Sequence, residues 1–176
     1  MIKAAFAPVV DAETRLLILG SLPGDASLRA GEYYGHPRNA FWRLIGAVVG
    51  RDLHTLAYPA RLAALSEAGI GLWDVIATAR RRGSLDTNIR HAEAADLRGM
   101  VATLPRLEAV AFNGAKAAAV GRRGLGETPA LQLIDLPSSS PAHARPLAEK
   151  AVAWGRLRVL LRPADAACDH VSRLKS

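Results

Sequence analysis

Several features of exported, membrane and metal-thiolate proteins are missing from this sequence. No uninterrupted apolar run approaches the ~20 residues that a membrane-spanning helix needs. The opening residues, MIKAAFAPVV, lack the basic start, the long apolar stretch and the cleavage site of a signal peptide. The single cysteine, Cys168, excludes an internal disulfide and any zinc or iron–sulfur site built from several thiolates. These absences predict an intracellular protein.

Acidic residues are fewer than basic ones. The formal net charge is +7, and 19 of the 23 basic residues are arginine. Arginine can hold a phosphate group through two parallel hydrogen bonds, so an arginine-rich surface suits a polyanionic partner. A GC-rich genome raises both arginine and alanine, and this is the competing explanation. Charge alone favours a nucleic-acid partner.

The order of the apolar segments predicts an α/β fold. Half of the 176 residues are apolar and no repeat, low-complexity tract or linker is evident, so residues 1–176 are expected to form a single domain. Short apolar segments typical of strands alternate with segments of helical periodicity, which indicates a parallel sheet. Strands are predicted at 16–20, 70–76, 107–114 and 130–137, and helices at 40–50, 58–69, 92–104, 115–123 and 147–161.

Long loops follow the first and the fourth predicted strands. GSLPGDASLRAGEYYGHPRN covers residues 20–39, and SSSPAHARP covers residues 138–146. Ligand sites of parallel α/β sheets lie beyond the carboxyl ends of the strands, so both loops are expected at the site. A third polar stretch, ARRRGSLDTNIR at 79–90, is predicted as a surface loop. Its arginines at 80–82 would form a solvated patch that faces either a nucleic acid or only water.

The motifs in these loops resemble those of the uracil-DNA glycosylase superfamily. The first strand leads into GSLPG and then YYGHPRNAFW, and the fourth strand leads into LPSSSPA. The combination is most similar to the hypoxanthine-DNA glycosylase branch, and it spans most of the chain. The resemblance implies a single-domain, three-layer α/β/α fold with a mainly parallel four-stranded central sheet. It also implies that a base is flipped out of DNA and its N-glycosidic bond hydrolysed.

The resemblance assigns roles to residues of the first loop. Tyr34 is expected to stack on the flipped base, with Leu22 and His36 beside it, although His36 could instead brace the loop. Much of the superfamily has Asp or Asn at the position of Leu22 to hold the attacking water. The hypoxanthine branch is expected to use the asparagine that is Asn39 here. Asn39 could also cap the following helix, and Asp25 is a minor alternative for catalysis.

A further predicted base contact comes from Asp74, which matches a family position that is usually asparagine and reads the base. A carboxylate would accept the N1–H of hypoxanthine and would reject adenine, whose N1 is itself an acceptor. The alternative is a structural aspartate that caps a turn or pairs with the arginines at 80–82. The sequence leaves both possibilities open.

The remaining predicted contacts are with the DNA backbone and with the gap left by the flipped base. An Asn-Gly turn at a helix start suits a phosphate, and serine hydroxyls can bind phosphate oxygens. Ala142 or His143 is expected near the gap. The predicted DNA-binding residues are Arg38, Asn113, Lys116, Ser138, Ser139, Ser140, Pro141, Ala142, His143 and Arg145.

The reaction expected from this resemblance uses water and needs no metal and no cofactor. Neither of the two main motifs contains a lysine, which argues against a Schiff-base lyase route. We expect a monomer that acts on single- or double-stranded DNA in the cytoplasm, at a bacterial nucleoid. The alternatives are a uracil or mismatched-thymine glycosylase of the same fold, a DNA-damage binder without catalysis, and a nucleotide hydrolase.

Overall fold

A four-stranded parallel sheet forms the centre of the fold, as the sequence predicted. The structure is a computed structural model and describes residues 1–161. The strand order is β3 (Ile70–Asp74), β2 (Leu16–Gly20), β6 (Ala109–Asn113) and β7 (Gln132–Leu136). Every residue of the inner strands β2 and β6 is buried, which is typical of a parallel sheet with both faces covered.

Alternate residues of β2 pack into two separate hydrophobic cores, because successive side chains of a strand point to opposite faces. Leu16 and Ile18 belong to one core, and Leu17 and Leu19 belong to the other. The first core is covered by α2 (Phe41–Val49), α3 (Tyr58–Glu67) and α6 (Leu147–Gly155), and the second by α4 (Leu97–Ala102) and α5 (Ala115–Leu125). The three layers of the predicted α/β/α fold are therefore confirmed.

One helix was not predicted, and the start of another differs from its prediction. A short helix, α1 (Asp25–Ala30), lies inside the segment that was predicted to be a loop. The helix predicted to begin at residue 92 begins at Leu97, where the Asp96 carboxylate caps it by accepting the Gly99 N–H at 2.9 Å. Within residues 1–161, no helix is long and apolar enough to cross a membrane. Cys168 lies outside the described residues.

A second, antiparallel sheet was not predicted. Its order is β1 (Ile2–Ala4), β4 (Ile76–Arg81) and β5 (Ile89–Ala94), and the segment from 82 to 88 connects the last two strands. The prediction of a surface loop over the whole of 79–90 is therefore wrong at both ends. In the sequence the arginines at 80–82 are typical of an exposed loop, so the strand was not predicted. In the structure Arg81 is buried, with 2% of its surface exposed, whereas its two neighbours are exposed.

Candidate functional site

A cavity of about 640 Å³ opens at the carboxyl edge of the parallel sheet. The two long loops line it, together with the last residues of β3 and β6, as the sequence predicted. The β4–β5 connection forms a further wall that was not predicted, with Ser84, Leu85, Asp86 and Thr87. The predicted site residues that line the cavity are Leu22, Tyr34, His36, Arg38, Asn39, Asp74, Asn113, Ser138, Ser139, Ser140, Pro141, Ala142 and His143.

Two predicted DNA-binding residues lie outside the cavity. Lys116 is exposed on α5, two residues after the N-cap residue Gly114. Arg145 is exposed on the second loop, and its guanidinium lies 3.8 Å from the carboxylate of Glu149. Both positions suit contact with an extended polymer beyond the cavity rather than with a base held inside it.

Asp74 is the buried carboxylate of the cavity, with 4% of its surface exposed. Its Oδ2 atom has no hydrogen-bond partner within the described residues. Burial raises the pKa of Asp74 to about 7, and the nearby Asp86 carboxylate adds to the rise while Arg81 opposes it. Asp74 lines the cavity, and a ligand that donates a hydrogen bond would satisfy this buried oxygen.

Gly20, at the end of β2, leaves room for this carboxylate. A Cβ atom built at this glycine would lie 2.6 Å from Asp74 Oδ1 and 3.1 Å from the Tyr34 hydroxyl. The first distance is too short for a real contact, so any other residue would displace the Asp74 side chain. The glycine of GSLPG therefore creates space for the base-reading candidate rather than only for a turn.

Tyr34 is held rigidly beside Asp74. Its ring stacks on Phe41 with 3.8 Å between the ring centroids and 13° between the planes. Its backbone adopts a left-handed conformation with a φ of 55°, which is uncommon for a residue other than glycine. The hydroxyl is buried close to the Asn113 amide, yet no hydrogen bond of normal geometry joins them. The ring is fixed at the cavity wall, where a flat ligand could stack.

Asn39 and His36 organise the turn that ends the first loop. The Asn39 carbonyl Oδ1 accepts the Phe41 N–H at 3.0 Å. The cap residue of α2 is Ala40, so the predicted cap is displaced by one residue although its hydrogen bond to the first turn is present. His36 Nδ1 accepts the Arg38 N–H at 3.1 Å, and this bond braces the turn.

Several hydrogen bonds from β6, the first loop and α6 hold the second loop in place. Asn113 Nδ2 donates to Ser139 Oγ, and the Ser139 N–H donates to Asn113 Oδ1, both at 2.8 Å. The Ser139 carbonyl also accepts the Ala40 N–H at 3.0 Å, which joins the two long loops directly. From α6, Trp154 Nε1 donates to the Pro137 carbonyl and Lys150 Nζ donates to the Ser140 carbonyl.

These hydrogen bonds indicate a structural role for two of the predicted DNA contacts, Asn113 and Ser139. Ser139 is 1% exposed and Asn113 is 8% exposed, and their polar side-chain atoms are used within the protein. In this conformation both residues hold the loop rather than face a phosphate. Ser138 and Ser140 are only half-buried, so their hydroxyls are the ones that can meet DNA.

Sequence reasoning missed the buried arginine that supports the first loop. Arg81 Nη1 donates to the Leu22 carbonyl at 3.1 Å, and Nη2 donates to the Pro23 carbonyl. The same guanidinium lies 3.6 Å from the Asp86 carboxylate, which also accepts the Ser21 hydroxyl at 2.7 Å. The interpretation of residue 81 as part of a solvated patch is therefore wrong, because its guanidinium is hydrogen-bonded to backbone carbonyls and paired with Asp86.

Asp25 forms an ion pair and does not belong to the site. Its carboxylate pairs with Lys3, and this hydrogen bond holds the pKa of Asp25 below its usual value. The side chain does not line the cavity. The structure therefore gives no support to the alternative in which Asp25 is catalytic. Among residues 1–161, no group of three or more potential ligands could hold a metal ion.

Comparison with known proteins agrees with this geometry. Residues 7–158 match the profile of the uracil DNA glycosylase superfamily. Two curated relatives are both named hypoxanthine DNA glycosylase. One, from Methanosarcina barkeri (strain Fusaro), is 42% identical over 156 residues and aligns with 88% of this chain and 96% of its own length. The other, from Methanosarcina acetivorans, is 44% identical over 147 residues, 82% of this chain and 90% of its own.

A solved structure also shares the fold at similar identity. The solution NMR structure of a candidate uracil DNA glycosylase from Methanosarcina acetivorans superposes with a TM-score of 0.80 and 41% identity. It covers 91% of this chain and 99% of the other. The shared fold, the two loop motifs at one sheet edge and the profile match over most of the length lead to one assignment. The chain belongs to the uracil DNA glycosylase superfamily.

Proposed function

We propose that the protein is a monofunctional DNA glycosylase that hydrolyses the N-glycosidic bond of hypoxanthine in DNA. The observation that carries this proposal is the buried, unpartnered Oδ2 of Asp74 in a cavity that also contains Tyr34 and Asn39. The relatives named hypoxanthine DNA glycosylase support the same substrate. At about 640 Å³ the cavity has room for a purine base together with part of its sugar.

Base recognition follows from the chemistry of Asp74. Hypoxanthine donates a hydrogen bond from N1–H, whereas adenine presents a lone pair at N1. In its ionised form, which predominates above about pH 7, the Asp74 carboxylate accepts a hydrogen bond from the N1–H of hypoxanthine and repels the N1 lone pair of adenine. Tyr34 provides a rigid aromatic surface for the base, and base–aromatic stacking contributes roughly 1–3 kcal/mol. Leu22 and His36 complete the wall of the same pocket.

Hydrolysis uses a water molecule held by Asn39. An amide carbonyl has two lone pairs, and the Phe41 N–H occupies only one of them. The second lone pair can accept a hydrogen bond from water. The transition state of glycosidic cleavage resembles an oxocarbenium ion, so a strong base is not required to drive the attack. The products are free hypoxanthine and an abasic site.

The DNA runs across the mouth of the cavity. Arg38, Lys116 and Arg145 supply positive charge, and Ser138 and Ser140 supply hydroxyls for the phosphates. Pro141, Ala142 and His143 lie at the rim. The protein acts as a monomer on single- or double-stranded DNA, in the cytoplasm of a bacterium and next to its nucleoid.

Uracil is a second candidate substrate. Its N3–H lies between two carbonyl groups, so Asp74 can accept it in the same way as the N1–H of hypoxanthine. The structural neighbour named as a candidate uracil DNA glycosylase favours this possibility. Selection between the two bases then depends on how the cavity fits a purine or a pyrimidine.

A panel of single-lesion DNAs tests the proposal. Duplexes and single strands that contain one hypoxanthine, uracil, mismatched thymine or normal adenine are incubated with excess protein, and abasic sites are cleaved with alkali. We expect cleavage at hypoxanthine and none at adenine. Cleavage at uracil alone would transfer the assignment to the second candidate. Tight binding to the lesions without cleavage of any of them would contradict the enzymatic assignment.

A further inference from the structure

The segment 20–23 (GSLP), at the end of β2, contacts three charged side chains in succession. Its glycine leaves room for the Asp74 carboxylate, and its serine hydroxyl donates to Asp86 Oδ1 at 2.7 Å. The carbonyls of its leucine and proline accept hydrogen bonds from the two terminal nitrogens of Arg81. The segment, Asp74 and Asp86 all line the cavity, whereas Arg81 does not. This part of the cavity wall is therefore held by two carboxylates and one guanidinium.

The Arg81 guanidinium is buried, so its charge needs partners inside the protein. Its Nη1 atom lies 3.6 Å from the carboxylate of Asp86, a side chain that is 43% exposed. A planar guanidinium can meet several acceptors at fixed angles, whereas a lysine ammonium is a single flexible point of charge. Loss of the guanidinium would leave two backbone carbonyls of the cavity wall without this donor.

The same pair of opposite charges acts on Asp74. Burial is the main cause of the raised pKa of Asp74, which the Arg81 charge opposes and the Asp86 charge increases. The other titratable groups coupled to Asp74 are the hydroxyls of Tyr33 and Tyr34. Burial, and after it the Asp74 charge, raises the pKa of both tyrosines above the ordinary value, so both are neutral near pH 7. The charge that Asp74 meets therefore comes from Arg81 and Asp86.

We propose that Arg81 and Asp86 are positioning residues for base excision, which hold the segment 20–23 in place and together set the electrostatic environment of the Asp74 carboxylate. The inference rests on the proposed function, in which ionised Asp74 accepts the N1–H of hypoxanthine. It adds two residues to which the motif resemblance assigned no role in the reaction. Neither residue needs to touch the base, because each acts through the wall segment or through Asp74.

The pH profile of single-turnover excision distinguishes this role from a purely structural one. Excision of hypoxanthine should decrease below about pH 7, as Asp74 takes up a proton. Asp86→Asn retains an acceptor for the Ser21 hydroxyl but removes the charge that raises the pKa of Asp74. Its acid limb should move to lower pH by about half a unit or more. On the acid limb, excision relative to the plateau should then increase about threefold.

Two substitutions of Arg81 separate its charge from its geometry. Arg81→Lys keeps the charge but cannot bind both carbonyls in the same way, so the acid limb should stay in place while the plateau rate falls at least about tenfold. Arg81→Met also removes the charge, and its acid limb should move to higher pH, opposite to that of Asp86→Asn. If Arg81→Met does not fold, Asp86→Asn and Arg81→Lys decide the question.

Asp135→Asn is the matched control. Asp135 also pairs with an arginine, Arg122, at 2.9 Å, but it does not line the cavity, so both the plateau and the acid limb should remain those of the wild type. An unshifted acid limb in Asp86→Asn would overturn the inference, and so would a wild-type plateau rate in Arg81→Lys.

A ¹³C NMR titration of the Asp74 carboxyl, assigned by its loss in Asp74→Asn, measures the same pKa shifts without catalysis. Wild-type protein that excises no hypoxanthine would refute the proposed function. The titration would still decide whether Arg81 and Asp86 act on Asp74 as inferred, and equal Asp74 titration in the wild type and Asp86→Asn would show that they do not.

Discussion

Asn113 and Ser139 exchange two hydrogen bonds of 2.8 Å and so tie the end of β6 to the second loop. The two residues are 26 positions apart in the chain, and both are buried. Because the Ser139 carbonyl also accepts the Ala40 N–H, this pair fixes the spacing between the loops that surround the cavity.

Asn113→Ala should lower the free energy of unfolding by about 1–3 kcal/mol, since it leaves the buried Ser139 N–H without a partner. Urea denaturation measures this change. Ser138→Ala is the matched control, because its hydroxyl accepts the half-buried Ser140 N–H at 3.2 Å rather than a buried donor, and its loss should be smaller. Equal stability of Asn113→Ala and the wild type would show that the pair does not support the fold.

Asn39→Ala should reduce excision of hypoxanthine by at least ~10²-fold, the usual scale for losing a group that positions or activates the nucleophile. The fold should survive, because the lost hydrogen bond to the Phe41 N–H contributes only about 0.5–1.5 kcal/mol. Single-turnover cleavage measures the effect. Asp25→Asn, which alters a carboxylate outside the cavity, should retain activity. A folded Asn39→Ala protein with near-normal cleavage would place the catalytic group elsewhere.

Asp74→Asn should relax the choice of base more than it weakens DNA binding. An amide can rotate to present either a donor or an acceptor, so it tolerates both the N1–H of hypoxanthine and the N1 lone pair of adenine. The lesion panel and a parallel binding titration with undamaged duplex separate the two effects. An unchanged lesion profile would assign Asp74 a structural role only.

The stability difference between the wild type and Asp74→Asn should depend on pH. The pKa of Asp74 is about 7 in the folded protein and about 3.9 in an unfolded chain. Between these values the folded protein binds more protons, so wild-type stability relative to Asp74→Asn falls as the pH rises from about 4 to about 7. The slope cannot exceed about 1.4 kcal/mol per pH unit. A pH-independent difference in urea denaturation would contradict a raised pKa.

Lys116→Ala should weaken binding to damaged and undamaged duplex alike, because a phosphate contact carries no sequence information. The slope of log affinity against log salt should become shallower by roughly 0.9, the value for one lost phosphate contact. Arg106→Ala is a suitable control. Its side chain pairs with Glu13 at 2.8 Å. The two residues lie just before β6 and β2, at the amino ends of these parallel strands, whereas the cavity lies at the carboxyl ends. A loss confined to damaged duplex would place Lys116 in the base pocket.

The parallel sheet and the two loops could be predicted because their signals are local. β2 is an unbroken apolar segment ended by a glycine, and the loop motifs stand directly after strands. The second sheet could not be predicted in the same way. Its signal was an arginine run whose middle member, Arg81, is buried by contacts with carbonyls of a loop 58 and 59 positions away. Only the folded chain brings those carbonyls together.

The same limit applies to individual site residues. Asp74 and Tyr34 were predicted in the pocket, and the cavity contains both. Ser139 looked like its two serine neighbours in sequence, and only its pairing with Asn113 distinguishes it. Asp86 and Leu85 carried no motif signal, because their place at the cavity depends on how β4 and β5 pair.

The order of the central strands has a kinetic consequence. β2 pairs with β6, so Leu16 lies opposite Ala109, and the Trp154 side chain supports the loop that follows β7. Contacts between such distant segments form slowly, because long loops must close before any contact is gained. In refolding from denaturant, helical structure should therefore appear before the cavity exists. Recovery of base excision should lag behind the recovery of the circular dichroism signal.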